Sequence, residues 1–407
     1  MKIIDGGVTA ANGFYAAAAA AGIKYKDRTD MALIYSEYPC AAAGTFTTNV
    51  VKAAPVVYDR EIIRSGAPVQ AIIVNSGIAN ACTGEEGMGY CRRTAEAAGE
   101  ALGIPATSVL VGSTGVIGMQ LPIDRVCAGV KLLADAKQDT LEAGTEAAKA
   151  IMTTDTVKKE VAVEITLSGK TVRVGGMSKG SGMIHPNMCT MLGYVTTDAA
   201  VSSEMLQKAI SEIVQDTFNM ISVDGDTSTN DTLLVLANGS AGNELIAEDN
   251  EDYRTLYDAL RYICETLAKK MAADGEGATR LIESAVIHAD TKENAKILAK
   301  SVVCSSLTKA AVFGCDANWG RILCALGYSG VQFDPDKTDL YFENDEKKIL
   351  IFHNGSAADY SEEEATQMLS GDKVRIVSDM NMGEASATAW GCDLTYDYVK
   401  INADYRS

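Results

Sequence analysis

Histidine is nearly missing from this chain: His185, His288 and His353 are the only three among 407 residues. That leaves little material for a histidine-rich metal site and few side chains to serve as an imidazole base. Basic residues are also short, with 36 Lys and Arg against 54 Asp and Glu, a formal charge of −18. The positive footprint of a nucleic-acid binder is therefore absent. The ten cysteines fall at irregular spacings with no Cys-x-x-Cys pair, which excludes a secreted disulfide framework and a zinc module. Reduced, mostly buried thiols in a cytoplasmic protein are expected instead. No apolar run is long enough to span a bilayer, and Ala16 to Ala21 is too short and too deep in the chain for a clean signal segment. That alanine run reads as a tightly packed structural segment, since alanine is small and the best helix former.

What is present is a large apolar fraction, 47%, with only 7 prolines, enough for an extensive folded core. Apolar or alternating runs predict strands at 32–38, 71–74, 109–111, 161–167, 172–174, 191–195, 221–223, 232–237, 283–288, 340–342, 349–352 and 374–377. Helical periodicity appears at 92–102, 124–134, 141–152, 203–218, 253–271 and 362–369. The fold class is α/β or α+β. No repeat, low-complexity tract or linker marks a domain boundary.

Several predicted strands end in loops rich in Gly, Ser, Thr and Asn, where sites are commonly built on a rigid scaffold. One of them, Lys179-Gly180-Ser181-Gly182-Met183-Ile184-His185-Pro186-Asn187-Met188-Cys189-Thr190-Met191-Leu192, carries a threonine where a flexible loop meets an apolar run. A hydroxyl nucleophile needs a base, and with histidine scarce the economical one is an α-amine on the same residue. Such an amine, with a pKa of about 8, can take the hydroxyl proton and later return it to a leaving group. Thr190 acquires that amine only if the Cys189–Thr190 bond is cut. The plainer reading is a β-branched residue opening a strand. The loop Asp224-Gly225-Asp226-Thr227-Ser228-Thr229-Asn230 lacks calcium-loop spacing and reads as a hydrogen-bonded supporting loop rather than a metal site.

Seven segments carry a resemblance that runs nearly end to end. They are Ala43-Gly44-Thr45-Phe46-Thr47-Thr48-Asn49, Val74 to Gly84, Ser113-Thr114-Gly115-Val116-Ile117-Gly118, Met152-Thr153-Thr154-Asp155-Thr156, Lys179 to Leu192, Val223 to Thr232, and Gly314 to Arg321. Through them the chain resembles the glutamate N-acetyltransferases, or ornithine acetyltransferases, of arginine biosynthesis. The resemblance implies an Ntn-hydrolase-like αββα sandwich and a precursor that cleaves itself into an α chain, 1–189, and a β chain, 190–407. These would stay together, two of each, as a heterotetramer. Family members usually carry Ala before the threonine, and this chain departs from that with Cys189.

The same resemblance implies Thr190 as nucleophile and an oxyanion hole from the Thr114 hydroxyl and the Gly115 amide. It further implies substrate contacts at Thr153, Lys179, Thr190, Glu276, Asn402 and Ser407, the last where many members have Thr. The substrates would be N-acetylornithine and glutamate, with no cofactor, and acetyl-CoA is a second donor in some members. Read locally, Ser113-Thr114-Gly115 is equally an ordinary turn, Lys179 and Glu276 solvated charges, and Thr153 a helix-terminal residue. Two rivals stay open at this level: a self-processing amidohydrolase or aminopeptidase, and a ligand-binding protein that has lost cleavage. His185, Trp319 and Arg321 are read as structural.

Overall fold

The long ladder of one sheet is organised around β3 (Met31–Phe46), a 16-residue strand whose two halves have different partners. A computed structural model of the chain describes residues 1–185 and 191–403. It has the expected mixed α/β class and falls into two units. The first contains 1–180, 191–219 and 227–268, and the second 181–185, 220–226 and 269–403.

In the first unit the strands are β1 (Lys2–Ile4), β2 (Phe14–Ala19), β3, β4 (Val69–Asn75), β5 (Val109–Ser113), β6 (Lys159–Leu167), β7 (Lys170–Lys179) and β8 (Leu192–Thr197). After β9 (Ile221–Ser222), which belongs to the other sheet, comes β10 (Thr232–Ala237). The order across the sheet is β1-β6-β7-β8-β10-β3-β4-β5, with β2 added on β3. β8 and β10 run parallel in the middle of that ladder, between β7 on one side and β3 on the other. Every residue of both strands is buried, which is why Leu233 to Leu236 form an unbroken apolar run instead of an alternating one. Burying each such side chain contributes about 1.5–3 kcal/mol.

Helices α1 (Ala54–Ser65), α2 (Gly84–Leu102), α3 (Ile123–Ala136), α4 (Leu141–Ala150) and α5 (Ser203–Asp216) pack on this sheet. Their ends are set by local chemistry: Pro55 opens α1 and a left-handed Gly66 closes it, while Thr140 and Ser202 cap α4 and α5 through their hydroxyls. The alanine run is not helical. Ala16 to Ala19 lie in β2, paired with Met31 to Ile34, where the small side chains let α3 and α4 lie close against the strand. Packing here overrides intrinsic propensity.

The second unit holds a seven-stranded sheet in the order β14-β13-β12-β15-β11-β16-β9. Its further strands are β11 (Leu281–Ala289), β12 (Asp339–Glu343), β13 (Lys348–His353), β14 (Ser356–Ala357), β15 (Lys373–Asp379) and β16 (Ala385–Cys392). Helix α6 (Glu251–Ala273) leads into it, α7 (Lys292–Cys304) packs on β11 and β16, and α8 (Ser306–Phe313), α9 (Trp319–Gly327), α10 (Glu362–Leu369) and α11 (Tyr396–Asn402) complete it. No helix among the described residues is long and apolar enough to cross a membrane.

Candidate active site

β4 and β5 are parallel neighbours, and Asn75 and Ser113 face each other at their C-terminal ends. The Asn75 side chain ties the two loops that follow, accepting from the Ser113 hydroxyl at 2.7 Å and donating to the Ile78 carbonyl at 2.9 Å. Its backbone carbonyl takes the Thr114 N–H at 3.0 Å, and the Gly77 carbonyl takes the Val116 N–H at 3.1 Å. Of these three successive amides, the Gly115 N–H alone is given to no described residue. Gly115 has φ +129°, and a Cβ there would lie 2.2 Å from the Gly77 carbonyl carbon. Only glycine fits. The turn thus presents an amide beside the Thr114 hydroxyl.

A buried ammonium reaches the same turn. Lys179, the last residue of β7, is 8% exposed and donates to the Thr153 hydroxyl at 2.7 Å and the Thr114 hydroxyl at 3.3 Å. Because Lys179 donates to the Thr114 oxygen, the hydroxyl's own proton stays available for another acceptor. Thr153 sits just past the end of α4, its carbonyl held by Arg28 at 3.2 Å. The counter-charge is Asp155. It accepts from the Lys159 ammonium at 2.6 Å, the Gly180 N–H at 2.7 Å and the Thr153 N–H at 3.1 Å, and lies 3.9 Å from the Lys179 ammonium.

Burial pushes the Asp155 carboxyl up, but the charges of Lys179 and Lys159 and the hydrogen bonds from Lys159 and Gly180 outweigh it and hold the group at about 2. The nearby Asp231 behaves oppositely: complete burial raises it well above the usual carboxylate range, against the pull of Ser228, Thr47, Lys179 and the Met191 amide. Lys159 and Lys179 both face the Asp155 carboxylate, at 2.6 and 3.9 Å. The first unit contains no histidine at all.

The second unit carries a separate, acidic arrangement. Glu276 is buried, its N–H donates to the Ser181 carbonyl at 3.0 Å, and its carboxylate accepts from the Asn402 amide of α11 at 2.7 Å. A Cβ on Gly182 would lie 2.3 Å from the Glu276 carboxyl carbon, so this loop needs glycine to clear the acid. The Tyr398 phenol is raised by burial and by the nearby charges of Asp224 and Glu276. Asp224 accepts from the N–H groups of Met183 and Ile184 at 2.6 and 2.9 Å, a supporting role for the acidic loop. His185 is lowered to about 4, first by burial and then by Lys300. It is neutral near pH 7 and contacts Ser222 at 3.1 Å and Cys304 at 3.5 Å.

Of the site residues expected from sequence, Thr114, Gly115, Thr153 and Lys179 lie together in the first unit, and Glu276 and Asn402 together in the second. Cys189, Thr190 and Ser407 lie outside the described residues. The ladder nevertheless pairs Lys179 with Leu192, two residues beyond Thr190. Sequence reasoning missed Asp155, Lys159 and Asn75. The available signals were the Thr153-Thr154-Asp155-Thr156 motif and a lysine four residues after its acid. Trp319 stacks against Phe352, with ring centroids 5.0 Å apart, and Arg321 donates to the Leu307 carbonyl.

An exposed-amide turn, a polarised hydroxyl and a buried ammonium on an α/β scaffold define an enzyme that handles an acyl group. The model of the ArgJ family matches residues 15–407. Over 396 residues the chain is 50% identical to the arginine biosynthesis bifunctional protein ArgJ of Thermotoga neapolitana, covering 97% of this chain and 99% of that one. It is 53% identical over 409 residues to the protein of the same name from Symbiobacterium thermophilum, covering 100% of both. A crystal structure of arginine biosynthesis bifunctional protein argJ from Bacillus halodurans is 47% identical, with a TM-score of 0.51, over 53% of this chain and 99% of that chain. The chain belongs to the ArgJ family and is an acetyltransferase of arginine biosynthesis.

Proposed function

We propose that the protein cuts itself between Cys189 and Thr190 and then moves the acetyl group of N-acetylornithine to glutamate through an acetyl-Thr190 ester. The observation that carries this reading is the Thr114 hydroxyl beside the Gly115 amide, held by Lys179, a residue that itself pairs with Leu192 in the ladder. In maturation the Thr190 hydroxyl attacks the Cys189 carbonyl, the acyl group shifts from nitrogen to oxygen and so frees the Thr190 amine, and water then hydrolyses the ester, releasing the Cys189 carboxylate and restoring the Thr190 hydroxyl. In turnover Thr190 attacks the acetyl carbonyl, its α-amine takes the hydroxyl proton, and the oxyanion rests on Thr114 and Gly115. Ornithine leaves with that proton. Glutamate's amine then attacks the ester, giving N-acetylglutamate in a ping-pong cycle.

Charge assigns the ends of the substrates. Lys179, with Thr153, suits the α-carboxylate. By resemblance alone, Glu276, Asn402 and Ser407 are further substrate contacts, with Glu276 taking the ornithine side-chain ammonium. The cycle needs no cofactor. An N-terminal product of residues 1–189 and a C-terminal product of 190–407 remain joined through the β7–β8 and β3–β10 ladders, and two of each form the assembly. The solved Bacillus halodurans chain spans 53% of this one, close to the share of the sequence after position 189, which suits a product of such a cut. The irregularly spaced cysteines, free among the described residues, suit a cytoplasmic enzyme.

Two measurements test the reading. Denaturing mass analysis should find two chains, the second beginning Thr-Met-Leu-Gly-Tyr, and Thr190→Ala should arrive as one intact chain without turnover. Acetyl transfer from N-acetylornithine to glutamate is compared with acetate release. Acetate alone would convert the assignment to an amidohydrolase, and replacing N-acetylornithine by acetyl-CoA decides the second donor.

A further inference from the structure

The loop before β10 does more than fill space. Asn230 is buried, and its side-chain amide donates to the Ser113 carbonyl at 2.8 Å and the Ala79 carbonyl at 2.6 Å. The Ser113 carbonyl belongs to the peptide whose N–H is that of Thr114, and this N–H is held by Asn75 at 3.0 Å. One planar unit is thus pinned at both ends immediately before the oxyanion turn. The Thr229 hydroxyl donates to the Asn230 carbonyl oxygen at 2.6 Å, which aims the amide nitrogen at its two acceptors.

The next residue pins a different peptide. The buried Asp231 carboxyl lies close enough to the Met191 N–H and to the Ser228 and Thr47 side chains to be influenced by each, and the Met191 carbonyl accepts the Thr232 N–H at 2.8 Å. Asp231's own carbonyl takes the Thr47 N–H at 2.9 Å, anchoring it to the end of β3. Met191 leads directly into β8, so the group that holds it sets where that strand begins. Two consecutive buried side chains therefore reach the peptide before Thr114 and the entry to β8.

We propose that Asn230 and Asp231 are positioning residues that lock the oxyanion turn and the threonine-bearing strand into one register. This rests on the reading of Thr190 as nucleophile. Neither side chain touches substrate. Asn230 sets where the Thr114 and Gly115 donors stand, and Asp231 offers a hydrogen-bond acceptor to the Met191 amide. Asparagine at position 231 offers the same acceptor without a charge, whereas alanine offers none.

The test measures self-cleavage over time by intact mass, kcat and KM per cleaved chain, and the melting temperature, in Asn230→Ala, Asn230→Asp, Asp231→Ala and Asp231→Asn. Asn230→Ala and Asp231→Ala should slow both cleavage and kcat about 100-fold, the cost of a misplacement of about 1 Å, with KM within about threefold of wild type. Asp231→Asn should retain both rates within about fivefold and keep the wild-type pH profile. Asn230→Asp keeps the shape and loses the donors, so it should match Asn230→Ala even where the alanine variant fails to fold. Wild-type kcat in Asn230→Asp, a loss confined to KM, or an Asp231→Asn as inactive as Asp231→Ala would each overturn the proposal. If the wild type itself neither cleaves nor transfers acetyl groups, the functional reading fails instead.

Discussion

Replacing Asp155 by asparagine keeps the shape of the side chain and removes its charge. In the native protein that charge faces two ammonium groups, Lys159 at 2.6 Å and Lys179 at 3.9 Å, with the Asp155–Lys159 pair fully buried. Breaking a buried pair by neutralising one partner typically costs about 3–5 kcal/mol, because the other charge stays inside uncompensated. The carboxyl gives an independent gauge: it sits at about 2 instead of 3.8, and a drop of that size corresponds to about 2 kcal/mol of preference for the charged form. Both figures predict a large loss at neutral pH. For units of this size it amounts to a fall in melting temperature of about 6–20 °C.

The sign with pH follows from the same depression. Since the folded carboxyl lies below its unfolded value, its contribution is complete above about pH 4 and disappears as the pH falls toward 2. Melting curves of wild type and Asp155→Asn from pH 7 to pH 2 should therefore converge at the acid end. Adding Lys159→Met should recover part of the lost stability, because it removes a buried ammonium that has lost its carboxylate at 2.6 Å. An Asp155→Asn protein melting within about 2 °C of wild type at pH 7 would refute the account of this cluster.

Thr114→Ala should reduce kcat about 10²–10³-fold and slow self-cleavage, with KM little changed, as read by steady-state kinetics and time-resolved mass analysis. Gly115→Ala should fold poorly or lose activity outright, since its methyl would lie 2.2 Å from the Gly77 carbonyl carbon; expression yield and circular dichroism check this. Glu276→Gln should raise KM for N-acetylornithine more than KM for glutamate, because only ornithine carries a side-chain ammonium.

Strands with a β-branched or continuous apolar run, such as Thr232 to Ala237 and Val161 to Leu167, were legible, as were helices with clear periodicity such as Asp124 to Ala134. The elements that escaped have specific reasons. Phe14 to Ala19 is alanine-rich, and its strand conformation is imposed by pairing with Met31 to Ser36. Ala385 to Cys392 is built of small and hydroxylated residues that give no alternation, and it is a strand because β11 and β9 flank it. The site divides in the same way. Thr114, Gly115 and Lys179 stand out through the motifs they share with a family. Asp155 does not, because its role exists only once the β6–β7 hairpin sets Lys159 opposite Ser178 and brings it to Lys179. The approach of Lys179 to Asp155 across the hairpin is a property of the ladder, and only the Lys159 partner, four residues on, leaves a local trace.

The central placement of β8 and β10 has a consequence for handling the protein. A cut after position 189 would sever the backbone without freeing either piece, because the later strands are clasped between β7 and β3. Withdrawing them would strip two ladders of hydrogen bonds and leave β7 and β3 as bare edges, templates for aggregation. The nick is then a chemical event with no mechanical exit. A gene split at that codon would ask each half to survive with an open sheet before meeting the other, so the uncut chain would be the folding scaffold for any such two-chain form.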